Sequence, residues 1–341
     1  MKRFATALAT LALAAGVASA QTQITGAGAT FPEPIYSKWF NEFKKLHNNI
    51  QINYTPNGSG AGITAVTTGT VDFAGSDAIM TEKQLADFKS KQGGDVLAFP
   101  TVLGAVVLTY NVAGVSADLK ITPDALAGIY LGKITKWNDA ALTKANPGVM
   151  LPAKDIVVVH RSDSSGTSFI FTDYLSKVSP EWKMKVGANA AVEWPTGLGG
   201  AKSEGVAGLV KQQANSIGYV ELSFAIQNKM NYASVQNAGG KFIKPSLESV
   251  TAAAAASAKT IPDDFRVSIT NPMGSDPYPI SSFTWLLVPE TIKDANKKKA
   301  ITDFLTWMLS KDGQAMAAPL TYAPLPKAVV DKEVKAIAKI K

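Results

Sequence analysis

Three short segments built from the smallest residues recur along this 341-residue chain, each at the same kind of place. They are Gly26-Ala27-Gly28-Ala29-Thr30-Phe31, Asn57-Gly58-Ser59-Gly60-Ala61-Gly62 and Arg161-Ser162-Asp163-Ser164-Ser165-Gly166-Thr167. Each follows an apolar run that reads as a strand: the short start at Ile24, residues 50–54 and residues 156–159. Each opens a helical pattern. Repeated strand–loop–helix units restrict the fold to layered α/β architecture. At such a junction the first N–H groups of the helix have no internal partner, and the aligned peptide dipoles add positive potential. Small side chains let an anion reach that backbone, and hydroxyls add donors. One loop of this kind is equally a tight turn with a Ser cap. Three of them, one beginning with Arg161, favour a shared oxyanion site.

The remaining pattern is consistent with this. Ile35, Trp39, Phe43 and Leu46 recur at helical spacing after Pro32 and Pro34, and Thr81 is a candidate N-cap for a helix over 81–91. The β-branched run 102–110 predicts a buried strand. Thr122-Pro123-Asp124 starts a helix that Gly132 closes. Residues 171–178 and 301–308 read as amphipathic helices, 217–220 and 283–288 as strands. The Ala-rich stretch 251–259 predicts a peripheral helix and the basic end 327–341 a solvated one. Neither an internal repeat nor a Pro/Gly-rich linker divides the chain. Two domains without a linker imply that the chain crosses between them more than once, near 98–101 and near 276–281, both carrying Pro.

Composition removes whole classes. With no Cys there are no disulfides, thiolate metal sites, cysteine nucleophiles or lipid-modified Cys anchors. His47 and His160 are too few for a His-rich metal site. At 46% apolar and 18% charged the chain is globular, and its net charge of +7 bears on steering rather than on fold. Lys2-Arg3, an uncharged Ala/Leu-rich run and Ala18-Ser19-Ala20 read as a secretory leader cleaved after Ala20. That run falls short of the roughly 20 residues a membrane span needs. Losing Lys2 and Arg3 lowers the net charge to +5. An exported chain without an anchor is expected in a periplasm. Nucleotide signatures are missing: Lys202-Ser203 follows Ala201 rather than a P-loop, and no dinucleotide glycine fingerprint follows a strand. A small anion fits better than a nucleotide or a nucleic acid.

Longer motifs carry a resemblance. Thr25-Gly26-Ala27-Gly28-Ala29-Thr30-Phe31-Pro32, Val71-Asp72-Phe73-Ala74-Gly75-Ser76-Asp77-Ala78, Phe99-Pro100-Thr101 and Arg161-Ser162-Asp163-Ser164-Ser165-Gly166-Thr167-Ser168-Phe169 resemble the periplasmic phosphate-binding proteins of phosphate ABC transporters, the PstS type. The likeness runs in order through 129–134, 194–200 and 218–221, over nearly all of the mature chain. It implies a type II periplasmic binding fold: two α/β lobes, residues 21–98 plus 279–341 and residues 101–276, joined by two hinge crossings around a ligand cleft. It further implies inorganic phosphate as ligand, permease subunits as partners, a monomer, and neither cofactor, metal nor catalytic residue. Carried over by position, Thr30, Phe31 and Ser59 supply donors from one lobe, and Arg161, Ser165, Gly166 and Thr167 from the other, with Asp163 holding Arg161. Asp77 would accept a hydrogen bond from a protonated oxyanion and disfavour sulfate, which has no proton to give; its alternative reading is a helix cap. Arsenate shares the protonation of phosphate and is not separated by sequence, whereas tungstate and molybdate are disfavoured. His160 and Gly60-Ala61 depart from the family pattern; His160 is read as a packed or surface residue. An enzymatic alternative would join Ser165, His160 and Asp163, but their crowding on one loop argues against it.

Overall fold

The structure, a computed structural model, describes residues 21–115 and 118–341, so the expected leader at 1–20 lies outside the described residues. In chain order the strands are β1 (Thr22–Gly28), β2 (Ile50–Pro56), β3 (Phe73–Ser76), β4 (Val96–Asn111), β5 (Lys120–Ile121), β6 (Val157–Arg161), β7 (Leu198–Gly200), β8 (Ser216–Glu221), β9 (Asn231–Tyr232), β10 (Ser234–Gln236), β11 (Phe242–Ile243) and β12 (Ser281–Pro289). The main sheet has the order β2-β1-β3-β12-β4-β8-β6-β7, with β9 also on β4. Strands β10, β11 and β5 form a small separate sheet.

Pairing directions divide the main sheet. Strands β2, β1 and β3 are mutually parallel, as are β8, β6 and β7. Between these groups β12 and β4 run antiparallel to their neighbours. Strand β4 is longer than the run 102–110 suggests. Its residues Val96–Ala105 pair with β12, and Val106–Asn111 pair with β8. The exchange of partner falls between Ala105 and Val106, where Ser281 begins β12 and Glu221 ends β8. Pro100 lies inside β4, where it cannot donate to a ladder. The register accordingly shifts opposite Pro100, between Thr284 and Trp285 of β12.

Local sequence explains the helices. Helix Glu33–Leu46 has Pro34 and Glu33 in its first turn and Lys44 and Lys45 in its last, each placed to suit the dipole. It buries Ile35, Tyr36, Trp39, Phe40 and Phe43, while Leu46 points to solvent. Thr81 forms a capping box with Gln84, and Thr122 caps Pro123–Tyr130 as its sequence implies. Aromatic clusters lie under both groups of strands. Tyr36, Phe40, Tyr54, Phe73 and Phe304 interlock on one side, and Tyr130, Phe171, Trp194 and Tyr219 on the other.

Two helix readings change. The Ala-rich helix, Leu247–Ser257, is not peripheral: Val250, Ala253 and Ala254 are buried, and small side chains let it lie close on β4. The helix Lys327–Ile337 is not wholly solvated, since it buries Val329, Glu333 and Ala336. The first small-residue segment also divides. Gly26, Ala27 and Gly28 belong to β1, and the turn proper begins at Ala29. Gly26 lies under the Phe73 ring, and Gly28, at φ 137°, abuts the Gly75 carbonyl, so these glycines serve close strand packing.

Helix Ser59–Thr68 meets β1 in the same manner. A Cβ at Gly62 would lie 2.5 Å from Gly28 Cα and 2.6 Å from the Ala27 carbonyl oxygen, both backbone atoms that cannot swing aside. Gly62→Ala is therefore expected to lower unfolding free energy by about 1–3 kcal/mol, the range for an overpacked interior. Urea titration measures this; an unchanged midpoint would mean that the helix rides further from β1.

Candidate functional site

The first turn is anchored through its carbonyls. Tyr54 Oη donates to the Ala29 carbonyl at 2.9 Å, Glu33 N–H to Thr30 at 3.3 Å and Tyr322 Oη to Phe31 at 2.7 Å. In a trans peptide the next N–H points opposite to the carbonyl. The N–H groups of Thr30 and Phe31 are thus aimed away from the Tyr54 and Glu33 anchors, whereas the Phe31 carbonyl precedes Pro32, which has no N–H, so the Tyr322 bond fixes the turn itself. The Phe31 ring itself is packed against Gly104, so only its backbone serves the site.

Ser59, fully buried, joins the segments. Its Oγ accepts from Asp77 N–H at 3.2 Å and from Gly166 N–H at 3.1 Å. Both lone pairs are then occupied and its own proton remains to be donated. The second loop is tied to the first, because Asn57 and Gly58 N–H both donate to the Gly28 carbonyl. Asp77, 1% exposed, follows β3. Its Oδ1 accepts from Thr284 Oγ1 at 2.7 Å, and the register shift of β12 falls at that threonine. Burial pushes the Asp77 carboxyl up to about 7, against the opposing pull of Thr284, Arg161 and Ser59.

The third loop supplies the cation. Arg161 is 3% exposed and forms a two-toothed ion pair with Asp163, Nε to Oδ1 at 2.7 Å and Nη2 to Oδ2 at 2.6 Å. Burial alone would raise the Asp163 carboxyl, but the Arg161 charge outweighs it and holds it below the usual carboxylate range. Lys202 N–H also donates to Asp163. The remaining guanidinium nitrogen, Nη1, reaches toward Thr30 Oγ1 at 3.4 Å. Ser165 caps helix Gly166–Val178 by accepting from Ser168 N–H, which occupies its oxygen but leaves its proton. Gly166 admits no side chain: a Cβ there would be 2.4 Å from Ser59 Oγ and 2.6 Å from Asp77 Oδ2. Thr167 is 1% exposed and its buried hydroxyl has no hydrogen-bond partner. A buried hydroxyl without a partner costs free energy unless something else satisfies it.

The nine residues singled out from sequence form two bonded groups that the 161–167 loop joins along the chain. Ser59 bridges Asp77 and Gly166, Arg161 bridges Asp163 and Thr30, and Ser165 and Thr167 flank Gly166 in the same turn. Groups from the two halves of the sheet touch across a cleft: Gly60 N–H donates to the Ser164 carbonyl at 3.0 Å, and Thr30 and Ser203 hydroxyls are 2.9 Å apart. At Gly60 a Cβ would meet Ser164 Oγ and Cβ at 2.2 and 2.4 Å, so the departure from Ser at this position accompanies a tight cross-cleft contact. Sequence reading missed Ser203, Thr284 and Tyr219. Tyr219 Oη accepts from Arg161 N–H at 3.1 Å and bonds Ser168, fixing where the arginine emerges. Only Ser203 had a local signal, a small hydroxyl residue at a helix start after Gly199-Gly200. His160 stacks on Trp194 and its Nδ1 meets the Arg161 carbonyl at 3.0 Å, a packed residue with its pKa lowered by burial. Chemically, the set offers backbone and hydroxyl donors, one guanidinium edge and one buried carboxyl acceptor. It is suited to a small oxyanion that carries a proton.

Fold and donor set together define a solute-binding protein. Residues 13–312 match the family model described as a PBP superfamily domain. The chain is 44% identical over 92% of its length to the phosphate-binding protein PstS of Xylella fastidiosa, covering 84% of that protein. It is 44% identical to the PstS of Pasteurella multocida, covering 92% of this chain and 89% of the relative. The PstS of Methanocaldococcus jannaschii is 40% identical, with 92% and 85% covered. The chain belongs to this PstS family within the PBP superfamily. The shared fold extends to PfluDING, a high affinity periplasmic phosphate-binding protein solved with phosphate bound, at a TM-score of 0.73 and 24% identity over 92% of this chain and 93% of that one. It also extends to a phosphate-binding protein from Stenotrophomonas maltophilia, at 0.71 and 23%, with the same coverage.

The Asp77 carboxyl makes stability depend on pH. Its folded pKa lies above its unfolded value of 3.8, so folding favours the protonated form. The stabilisation is complete below pH 3.8 and is lost as pH rises through about 7. Asp77→Asn should remove this slope, at most about 1.4 kcal/mol per pH unit for one proton, from the ligand-free protein. Denaturant titrations at pH 5 and pH 8 measure it. Equal wild-type and variant slopes would place the Asp77 carboxyl at an ordinary pKa.

Proposed function

We propose that this chain captures inorganic phosphate in the cleft and delivers it to the membrane permease of a phosphate ABC transporter. Its relatives are named for phosphate binding. The observation that carries the reading is Asp77, a buried carboxyl set among donors. The N–H groups of Thr30 and Phe31, the hydroxyls of Thr30, Ser59, Ser165 and Thr167, the N–H of Thr167 and Arg161 Nη1 hold the phosphate oxygens, while Gly166 brings Ser59 and Asp77 close by donating to Ser59 Oγ and carrying no side chain. Asp163 orients Arg161. Asp77 takes the proton that phosphate carries near neutral pH. Sulfate leaves that acceptor facing an unprotonated oxygen, and an unsatisfied buried charge is costly. Arsenate, protonated like phosphate, is accepted by the same logic.

The mature protein begins after Ala20 and works in the periplasm as a monomer. Its first lobe extends along β4 as far as Ala105 and resumes with β12, and its second begins at Val106, a few residues beyond the crossing expected near 98–101. Their relative motion is carried by β4, at the exchange of partner beside Ala105 and Val106, and by the entry to β12 at Ser281. Ligand bridging both lobes favours the closed state, by as much as it binds that state better. The protein is a carrier, not a hydrolase. Ser165 Oγ caps its own helix, His160 is committed to Arg161 and Trp194, and Asp163 to Arg161, so a nucleophile–base–orienter chain is not assembled.

Titration calorimetry at pH 8 should give tight phosphate binding and sulfate weaker on the order of 10⁴-fold, as for sites whose polar group is left unpaired by the analogue. Equal affinities would defeat the selectivity argument, and no phosphate binding would defeat the function. Asp77→Asn should narrow the phosphate/sulfate ratio at least about tenfold, because an amide can donate to sulfate. Lowering pH to 5 protonates Asp77 and should admit sulfate to the wild type; a ratio constant from pH 8 to 5 would mean that another group discriminates.

A further inference from the structure

A second buried acid lies close to the residues that hold the first turn, outside the donor set. Glu221 is the last residue of β8 and pairs with Val106 of β4, at the point where β4 exchanges partners. It is 1% exposed. Its Oε2 accepts from Phe224 N–H at 3.0 Å, capping helix Leu222–Gln227. The same Oε2 is 3.3 Å from Tyr322 Oη, while Oε1 has no hydrogen-bond partner. Tyr322 is fully buried, and its hydroxyl donates to the Phe31 carbonyl at 2.7 Å. Its segment is pinned to β4 by reciprocal Leu103–Ala323 backbone bonds. The Phe31 ring presses on Gly104, whose absent Cβ would lie 2.6 Å from that ring and 3.4 Å from Glu221 Oε1. One hydroxyl thus stands between a buried carboxyl and the peptide that fixes the first turn of the cleft.

A tyrosine hydroxyl has one proton to give. When Glu221 is a neutral acid it can donate to Tyr322 Oη, which leaves the tyrosine proton on the Phe31 carbonyl. When Glu221 is ionised it competes for that proton, and the Phe31 peptide loses its anchor. We propose that Glu221 is a positioning residue that acts through Tyr322: its proton holds the Phe31 turn in the geometry that presents its N–H groups to an anion. Burial pushes the Glu221 carboxyl up to about 8, against the N–H donors of Ser223 and Phe224 and the hydroxyl of Tyr322; the nearby Asp77 charge adds to the rise. Tyr322 and Asp77 are the titratable groups that face it; Gly104 and Val106 on β4 carry no charge. A bound anion adds negative charge to the same cleft and so favours the protonated acid.

The consequence for phosphate rests on the function proposed above; the coupling of Glu221 to Phe31 does not. Carboxyl-carbon NMR on ligand-free protein with labelled Glu should show a resonance titrating near pH 8 that is missing from Glu221→Gln. The Phe31 amide shift should follow the same curve in the wild type and stay flat in Glu221→Gln and in Tyr322→Phe. A Glu221 carboxyl that titrates in the ordinary range, or a Phe31 amide indifferent to it, would overturn the proposal. In calorimetry, phosphate Kd for the wild type should rise about tenfold between pH 8 and pH 9.5, where phosphate itself stays a dianion, with proton uptake on binding. Glu221→Gln, which keeps a neutral donor, should retain the pH 8 affinity and lose the rise. An identical rise in both proteins would also overturn it. If the NMR coupling holds and phosphate does not bind at any pH, the proposed function fails and the positioning role stands.

Discussion

The molecule depends on one strand being shared. Strand β4 continues without a break from the β12 side of the sheet to the β8 side, so the two groups of parallel strands are linked through its backbone. A relative rotation of the halves must be absorbed near Ala105–Val106 and at the start of β12, since elsewhere both strands are held on their ladders. The flanking residues are fully buried and apolar along 102–108, apart from Gly104, which leaves room for Phe31. Small dihedral changes there would move the third loop relative to the first two. The cross-cleft bonds of Ser59 to Gly166 and of Gly60 to Ser164 are therefore the contacts such a motion breaks or makes.

Electrostatics in the cleft are not those suggested by overall charge. A net positive chain would be expected to hold anions by lysines, yet among the described residues the only cation bonded into the donor set is Arg161, and Asp163 already neutralises it. In the proposed function the attraction would be carried by peptide N–H groups and hydroxyls fixed in place before any ligand arrives, which lose little freedom on binding. Two buried acids, Asp77 and Glu221, then lower the site's tolerance for charge. Burial raises both carboxyls, to about 7 and about 8, and the Asp77 charge makes the ionisation of Glu221 harder. On the proposed function, the cleft would accept negative charge only together with protons, either those of the ligand or those of its own acids.

What the sequence revealed follows from how local each feature is. The strand–loop–helix junctions, the caps at Thr81 and Thr122, and the α/β class depend on residues within a few positions of one another. They were legible, as was the connection of Ser59, Asp77 and Arg161 once long motifs were matched. Thr284, Tyr219 and Tyr322 were not. Thr284 reaches Asp77 across 207 positions and only because of a register shift opposite Pro100. Pro100 in the sequence reads as a break, whereas in the sheet it is accommodated as an irregularity within a continuous strand. Gly26 and Gly28 misled in the opposite sense. Glycine signals a turn from composition alone, but here it marks strands and a ring in close approach.

The same tertiary placement gives a physical reason for an acid at Glu221. As a helix cap alone, Ser or Thr would serve as well without the desolvation cost of an acid. A longer side chain is needed to span from the end of β8 to Tyr322. An acid differs from Gln of the same length in having a proton that can leave, so its charge state can follow the charge in the cleft. Since Val106 pairs with Glu221 and the Phe31 ring packs on Gly104, the carboxyl lies where the shared strand, the partner exchange and the first turn meet. A change of protonation there is felt by the backbone that links the halves and by the turn that faces the ligand, without passing through the Arg161 loop.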